Sequence, residues 1–243
     1  MQSVERAFTL LEVLAGAGGE LSLSEIAAES GLPLPTIHRL IRTLVDRGYV
    51  RQLATRRYTL GPRLISLGES ASGRLTGWAR PWLTSLVEEL GETANFGTLD
   101  GDRATYIAQV PSRHSMRMFT EVGRRVHLHC TGVGKALLAQ LDDKEVEALV
   151  RRTGLPAETT YSITDPDVLA GELRKIREQG FAVDDGEQEI GVRCVAVPVL
   201  GIATGFAISV SGPTARMNDE LIDRAVPLLK SVARGLAADL AST

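Results

Sequence analysis

Residues 23–50 read LSEIAAESGLPLPTIHRLIRTLVDRGYV, and their spacing decides the fold of the amino-terminal third. Ile37, Leu40, Ile41, Leu44 and Val45 recur at helical intervals, so they centre on one side of a helix. The opposite side carries Arg39, Arg42, Thr43 and Asp46, with Thr36 and His38 at its flanks. Gly48 closes this helix, and Pro33 and Pro35 precede it, where a first-turn proline loses no hydrogen bond. One helix earlier, Ser22-Leu23-Ser24-Glu25 spells a capping box, with Leu23, Ile26 and Ala27 as the buried stripe and Gly31 as the turn.

Working outward, Val4, Ala7, Phe8, Leu11 and Leu14 predict a first helix over about 3–15, ended by Gly16-Ala17-Gly18-Gly19. Downstream, residues 49–53 and 57–60 read as a short hairpin with Ala54-Thr55-Arg56 at its tip. Residues 33–63 hold seven arginines against one acid, Asp46. Three helices and a hairpin with arginines on the last helix and the hairpin make a winged helix-turn-helix. An α-helix fills the DNA major groove, arginine bonds bidentately to guanine, and hairpin arginines neutralise phosphates or enter the minor groove. Arg39 and Arg42 are the expected helix contacts, with Thr36, His38 and Thr43 in support, and Arg56 and Arg57 hold DNA from the wing. His38 serves equally well as an interhelical packing residue. The plainer alternative is a three-helix packing module with solvated arginines.

The rest of the chain is different in character. The 243 residues carry 27 Lys and Arg against 30 Asp and Glu, a net charge of −3, so the basic block lies on a mildly acidic protein. With 44% hydrophobic and 23% charged residues, bulk disorder and low-complexity classes are excluded. Two cysteines, Cys130 and Cys194, make no disulfide framework, and the start shows no signal peptide, so the expectation is a cytoplasmic protein with reduced thiols. Residues 194–215 lack charge over 22 positions, but Pro198, Gly201, Gly205 and Pro213 punctuate them. Two buried strands explain that run better than a membrane helix.

Gly61-Pro62 ends the wing, and Leu64 to Ala71 predicts a connecting helix, followed by an amphipathic helix from Trp78 to Leu90. Such helices pair subunits or pack within the chain. From Thr93 the period shortens: 93–99 and 103–110 alternate around Asp100-Gly101-Asp102, a hairpin signal. Further strands are expected at 115–121, 181–184, 192–199 and 205–211, and helices from Gly132, at 146–151, at 168–178 and from Asn218 to Leu240. Pro227 should kink or break the last of these. The pattern is an α/β domain with an antiparallel sheet.

In this domain, Leu128-His129-Cys130-Thr131-Gly132-Val133-Gly134-Lys135 combines a strand end, a glycine-rich turn and a helix start, whose free N–H groups suit a carboxylate. It is neither a Walker A loop nor a dinucleotide fingerprint: Ala136 replaces the Ser/Thr and Leu137 the third glycine. No cofactor is expected. His127, His129 and Cys130 lack metal-ligand spacing, which favours a structural role over zinc. Cys194 is read either as a buried thiol lining a pocket or as the nucleophile of a small-molecule enzyme fused to a DNA-binding head. Ser209 and Ser211, on one face of an apolar strand, either offer two hydroxyls to a ligand or are satisfied internally.

The motifs SVERAFTLLEVL, LSEIAAESGLPLPTIHRLIRTLVDRGYV, YTLGPRL, LHCTGVGKALLA and SVSGPTAR, in this order and spanning nearly the whole chain, resemble the IclR family of bacterial transcription regulators. The resemblance implies an α+β two-domain protein: a winged helix-turn-helix over 1–61, a linker helix over 62–77 and a GAF/PAS-like effector-binding domain over 78–243. It also implies operator DNA and a small organic acid as partners, and a homodimer assembled as a dimer of dimers. Carried over by position, the effector pocket falls on Met116, Gly132, Val133, Asp184, Cys194, Ser209 and Ser211. The spacing from Met116 through LHCTG, with Cys194 and the paired serines, is similar to the branch that controls allantoin and glyoxylate use. Two departures stand out: Pro35 replaces a small polar residue near the helix start, and the 200–204 connection is short.

Overall fold

The computed structural model describes residues 2–118, 121–201 and 205–241. The chain divides into two compact units, Met1–Gly73 and Arg74–Thr243. The first contains α1 (Gln2–Gly16), α2 (Leu23–Ser30), α3 (Leu34–Asp46) and an antiparallel hairpin of β1 (Val50–Gln52) and β2 (Tyr58–Leu60). The apolar stripes meet as expected: Leu10, Leu14, Ile26, Ile37, Ile41, Leu44, Val50 and Tyr58 form its core. The capping box forms, with Ser22 N–H donating to Glu25 Oε2 at 2.7 Å and Glu25 N–H to Ser22 Oγ at 3.3 Å. The Ser22 amide first, then the Ser22 hydroxyl, which donates to Glu25 Oε2 at 2.8 Å, and Arg57 hold the Glu25 carboxyl down at about 2. Pro33 caps α3 without a side-chain hydrogen bond. Leu21 and Tyr58 exchange backbone hydrogen bonds of 3.0 and 2.7 Å, fastening the hairpin to the segment before α2.

Helix α4 (Arg63–Thr76) runs across the boundary between the units, and α5 (Ala79–Leu90) follows. The second unit is built on β3 (Thr93–Asp100), β4 (Arg103–Val110), β5 (Arg125–Val126), β6 (Ala182–Asp185), β7 (Val192–Val199) and β8 (Phe206–Pro213). They form one antiparallel sheet in the order β5-β4-β3-β8-β7-β6. Helix α5 and α9 (Asp219–Ala241) cover one face, whose side chains Ala94, Phe96, Val195, Val197, Ile208 and Val210 are apolar and buried. The other face takes α6 (Gly132–Leu138), α7 (Asp143–Thr153) and α8 (Pro166–Gln179) against Tyr106, Ala182, Ala196 and Ala207. Two glycines let α6 sit close to the sheet. A Cβ on Gly97 would meet Val133 at 2.7 Å, and one on Gly132 would meet Cys194 Sγ at 2.9 Å.

Three expectations need correction. No strand forms over 115–118, and residues 119–120 lie outside the described residues. The outer edge of β4 is instead met, at Ala104 and Thr105, by β5, a strand too short to show a period. Helix α9 continues through Pro227 rather than breaking. Ala225 and Leu229, fully buried on either side, hold it across the one lost hydrogen bond. Third, the turn at Gly132 is not an open set of amides. Gly134 N–H donates to Thr131 Oγ1 at 3.0 Å and Lys135 N–H to Thr131 O at 2.9 Å, and Gly132 and Val133 are buried against the sheet. In the short 200–204 connection, residues 202–204 lie outside the described residues.

Candidate nucleic-acid interface and effector site

On α3, burial of Ile37, Ile41 and Leu44 turns His38, Arg39 and Arg42 into solvent, with Thr36 half-buried at the flank. Thr43 is exposed and donates its hydroxyl to the Arg39 carbonyl at 3.1 Å. The guanidinium groups of Arg39 and Arg42 meet no acid among the described residues, so they are available to an outside anion. The two wing arginines differ. Arg57 binds Glu25 Oε2 at 2.8 Å and the Glu20 carbonyl at 2.8 Å, which braces the hairpin against α2. Arg56 is exposed at the hairpin tip with no side-chain partner among the described residues. Beside α3 and the hairpin, His38, Arg42 and Gln52 line an open groove of about 310 Å³.

In the second unit, strand register gathers a polar patch on the α6 face of the sheet. Thr93 pairs with Ser211, Ser211 with Cys194, and Cys194 with Asp184, giving one row across four strands. The adjacent row on that face runs from Gln109 through Asn95 to Ser209. The sequence reading missed Asn95, which organises the patch: its Nδ2 donates to Ser211 Oγ at 3.0 Å and to Ser209 Oγ at 3.5 Å, and its Oδ1 accepts from Gln109 at 3.3 Å. Its position in the run TANFGTLD gives no hint of this, because the serines lie more than a hundred residues away. Asp184, Cys194, Ser209 and Ser211 therefore do come together. Two places further along the ladder, Val192 pairs with Pro213, and both line an open cavity of about 440 Å³ with Met116, Arg117, Arg124 and Ile190. Met116 thus lies at this cavity, highly exposed, while Gly132 and Val133 form the buried first turn of α6, packed on the sheet.

Burial sets the protonation of this patch. It pushes Asp184 up to about 7, although the Glu187 amide donates to Asp184 Oδ1 at 2.8 Å and opposes the rise. Burial likewise pushes the Cys194 thiol up to about 12, with the Asp184 charge adding to the effect, and Cys130 rises to about 12 for the same reasons. A thiol held protonated is a poor nucleophile. Behind the patch, the fully buried Lys135 contacts Glu187 and lies 3.7 Å from Glu172. Ser162 Oγ donates to the Glu187 carbonyl at 2.6 Å, so this loop is fixed from several sides. His127 binds Glu158 at 3.0 Å and His129 the Pro156 carbonyl at 2.9 Å, so both are engaged structurally. Among the described residues no cluster of His, Cys, Asp or Glu is arranged to hold a metal, and no helix is long and apolar enough to cross a membrane.

A basic winged helix in one chain with an α/β unit whose sheet carries a buried polar patch is the make-up of a DNA-binding regulator with a ligand domain. Residues 3–54 match the IclR helix-turn-helix domain and 71–238 match the bacterial transcriptional regulator IclR C-terminal domain. The chain belongs to the IclR family of bacterial transcription regulators, and it is a DNA-binding regulator rather than an enzyme. It is 37% identical over 229 residues to the transcriptional repressor IclR of Escherichia coli, covering 91% of this chain and 84% of that one. An IclR transcriptional regulator structure from Alicyclobacillus acidocaldarius matches with a TM-score of 0.87 at 32% identity, covering 98% of both chains. An IclR homologue from Microbacterium hydrocarbonoxydans, complexed with 4-hydroxybenzoate, shares the fold with a TM-score of 0.84 at 22% identity over 99% of this chain and 100% of that one.

Proposed function

We propose that this regulator is a cytoplasmic repressor released or set by a small organic acid. Arg39 and Arg42 read or anchor operator DNA from the major groove, with Thr36, His38 and Thr43 in support, while Arg56 acts from the wing and Arg57 holds the wing in place. The observation that carries this reading is the sidedness of α3: a buried aliphatic stripe on one side and, on the other, guanidinium groups in solvent that meet no acid among the described residues. The exposed apolar residues Val4, Phe8, Ile65 and Leu67 supply a surface for pairing two copies, and the assembly is a homodimer or a dimer of dimers on a near-palindromic site. In this reading residues 1–61 are the DNA-binding domain, 62–77 the linker helix and 78–243 the effector-binding domain.

The effector enters by the cavity at Met116 and reaches Asp184, Cys194, Ser209 and Ser211. Gly132 and Val133 shape the floor beneath Cys194 by letting α6 approach. A protonated Asp184 and the hydroxyls donate to the carboxylate of the effector, glyoxylate or an allantoin-related compound first among the candidates; the homologue holding 4-hydroxybenzoate supports an organic acid in this fold. Arg39→Ala should weaken binding to the cognate operator by about 1–3 kcal/mol and relax its base preference. Fluorescence anisotropy on operator and scrambled duplexes checks this, and unchanged affinity and selectivity would remove Arg39 from the interface. The double variant Ser209→Ala, Ser211→Ala should lose the thermal shift given by a responsive acid while still binding DNA.

A further inference from the structure

We infer that Arg56 reads the width of an A/T-rich minor groove, and that the wing keeps an arginine there against the preference of its own backbone. This inference rests on the DNA-binding reading above. The Leu53 carbonyl accepts from the Arg56 amide at 2.9 Å, and the Leu53 amide donates to the Arg57 carbonyl at 2.8 Å. That pattern closes a three-residue hairpin loop whose last residue lies in the left-handed region, the place where such hairpins carry glycine. Arg56 has φ of 62°, and among the described residues it is the one non-glycine with a positive φ. Glycine would relieve the clash between Cβ and backbone. A side chain retained at a strained position points to work done by that side chain.

The surroundings say what the work is. Arg57 is engaged by Glu25 and the Glu20 carbonyl, so Arg56 alone projects from the tip with a guanidinium free of partners among the described residues. Between α3 and the hairpin lies the groove lined by His38, Arg42 and Gln52. With α3 in the major groove, a sugar–phosphate strand fits that groove, and the hairpin tip comes over the minor groove on its far side. Narrow A/T minor grooves concentrate negative potential and favour arginine, whose guanidinium sheds water more readily than an ammonium.

The test uses the full-length wild type, Arg56→Gly and Arg56→Lys, each selecting duplexes from a randomised DNA pool, with unfolding temperatures measured in parallel. Arg56→Gly should unfold at or above the wild-type temperature, yet bind the wild-type-selected duplex several-fold more weakly and lose the A/T preference flanking the core site. Arg56→Lys should keep the salt dependence of binding but lose that flanking preference. A lysine variant that selects the same flanks as wild type would assign Arg56 to phosphate and overturn the inference. So would a glycine variant with unchanged selection, or one that unfolds well below wild type. A wild type with a clear core site and no flanking preference would defeat this inference alone; one that selects no duplex would take the DNA-binding reading with it.

Discussion

In the amino-terminal unit, Arg39, Arg42 and Arg56 stand in solvent and meet no acid among the described residues; in the carboxy-terminal unit, Asp184, Cys194, Ser209 and Ser211 are enclosed and bonded to one another or to the chain around them. Water solvates an exposed guanidinium at no cost to folding, so the first surface is ready for a polyanion as it stands. A buried polar group must be satisfied from within, so a ligand entering the second site has to exchange bonds that already exist, such as those from Asn95 to the two serines. The first site is set by surface charge, the second by the balance of its internal bonds.

This contrast predicts unequal responses to substitution. The largest should come from Lys135→Met, which strands the Glu187 carboxylate beside the patch. Removing one partner of a buried ion pair costs about 3–5 kcal/mol, measurable by urea unfolding followed through Trp78 and Trp82, which both lie in the second unit. A loss below about 1 kcal/mol would mean that the pair behaves like a surface bridge, and the contrast between the units would fail. Asp184→Asn should act in the opposite direction. Folded Asp184 keeps its proton up to about 7, whereas the unfolded carboxyl loses it near 3.8. Between those values the folded state binds more protons, so wild-type stability falls as pH rises. Asparagine cannot ionise, and its advantage should grow through this window to at most about 4 kcal/mol at pH 8. Glu187, pushed in the same direction by burial, should leave a residual slope in the variant. An advantage that does not change with pH would assign the effect to packing. The smallest response should be Ser22→Ala in the head, about 1 kcal/mol for a lost helix cap, seen by calorimetry in the transition of the first unit.

The same contrast explains what was legible in the sequence. The head uses local signals: the capping box at Ser22 and Glu25, the stripe from Ile37 to Val45, and the stop at Gly48 all lie within a few residues of what they control. Most second-unit elements also show their period, and Ser209 and Ser211 announce a shared face. The bonds that build the patch do not. Asn95 finds its serines, and Lys135 finds Glu187, only through sheet order, which no local pattern encodes. The role of Arg57 was hidden in the same way, since its acids, Glu20 and Glu25, belong to an earlier segment. The two-residue strand β5 is too brief to carry alternation, and the alternation at 115–118 is local to four residues that pair with no strand.

The close seating of α6 ties two distant positions in evolution. The space a methyl would need on Gly132 already contains the sulfur of Cys194. Across descendants of this chain, drift at the two positions should be correlated: a methyl gained at 132 is tolerated only where 194 has shrunk to alanine or glycine, with the summed volume of the pair held nearly constant.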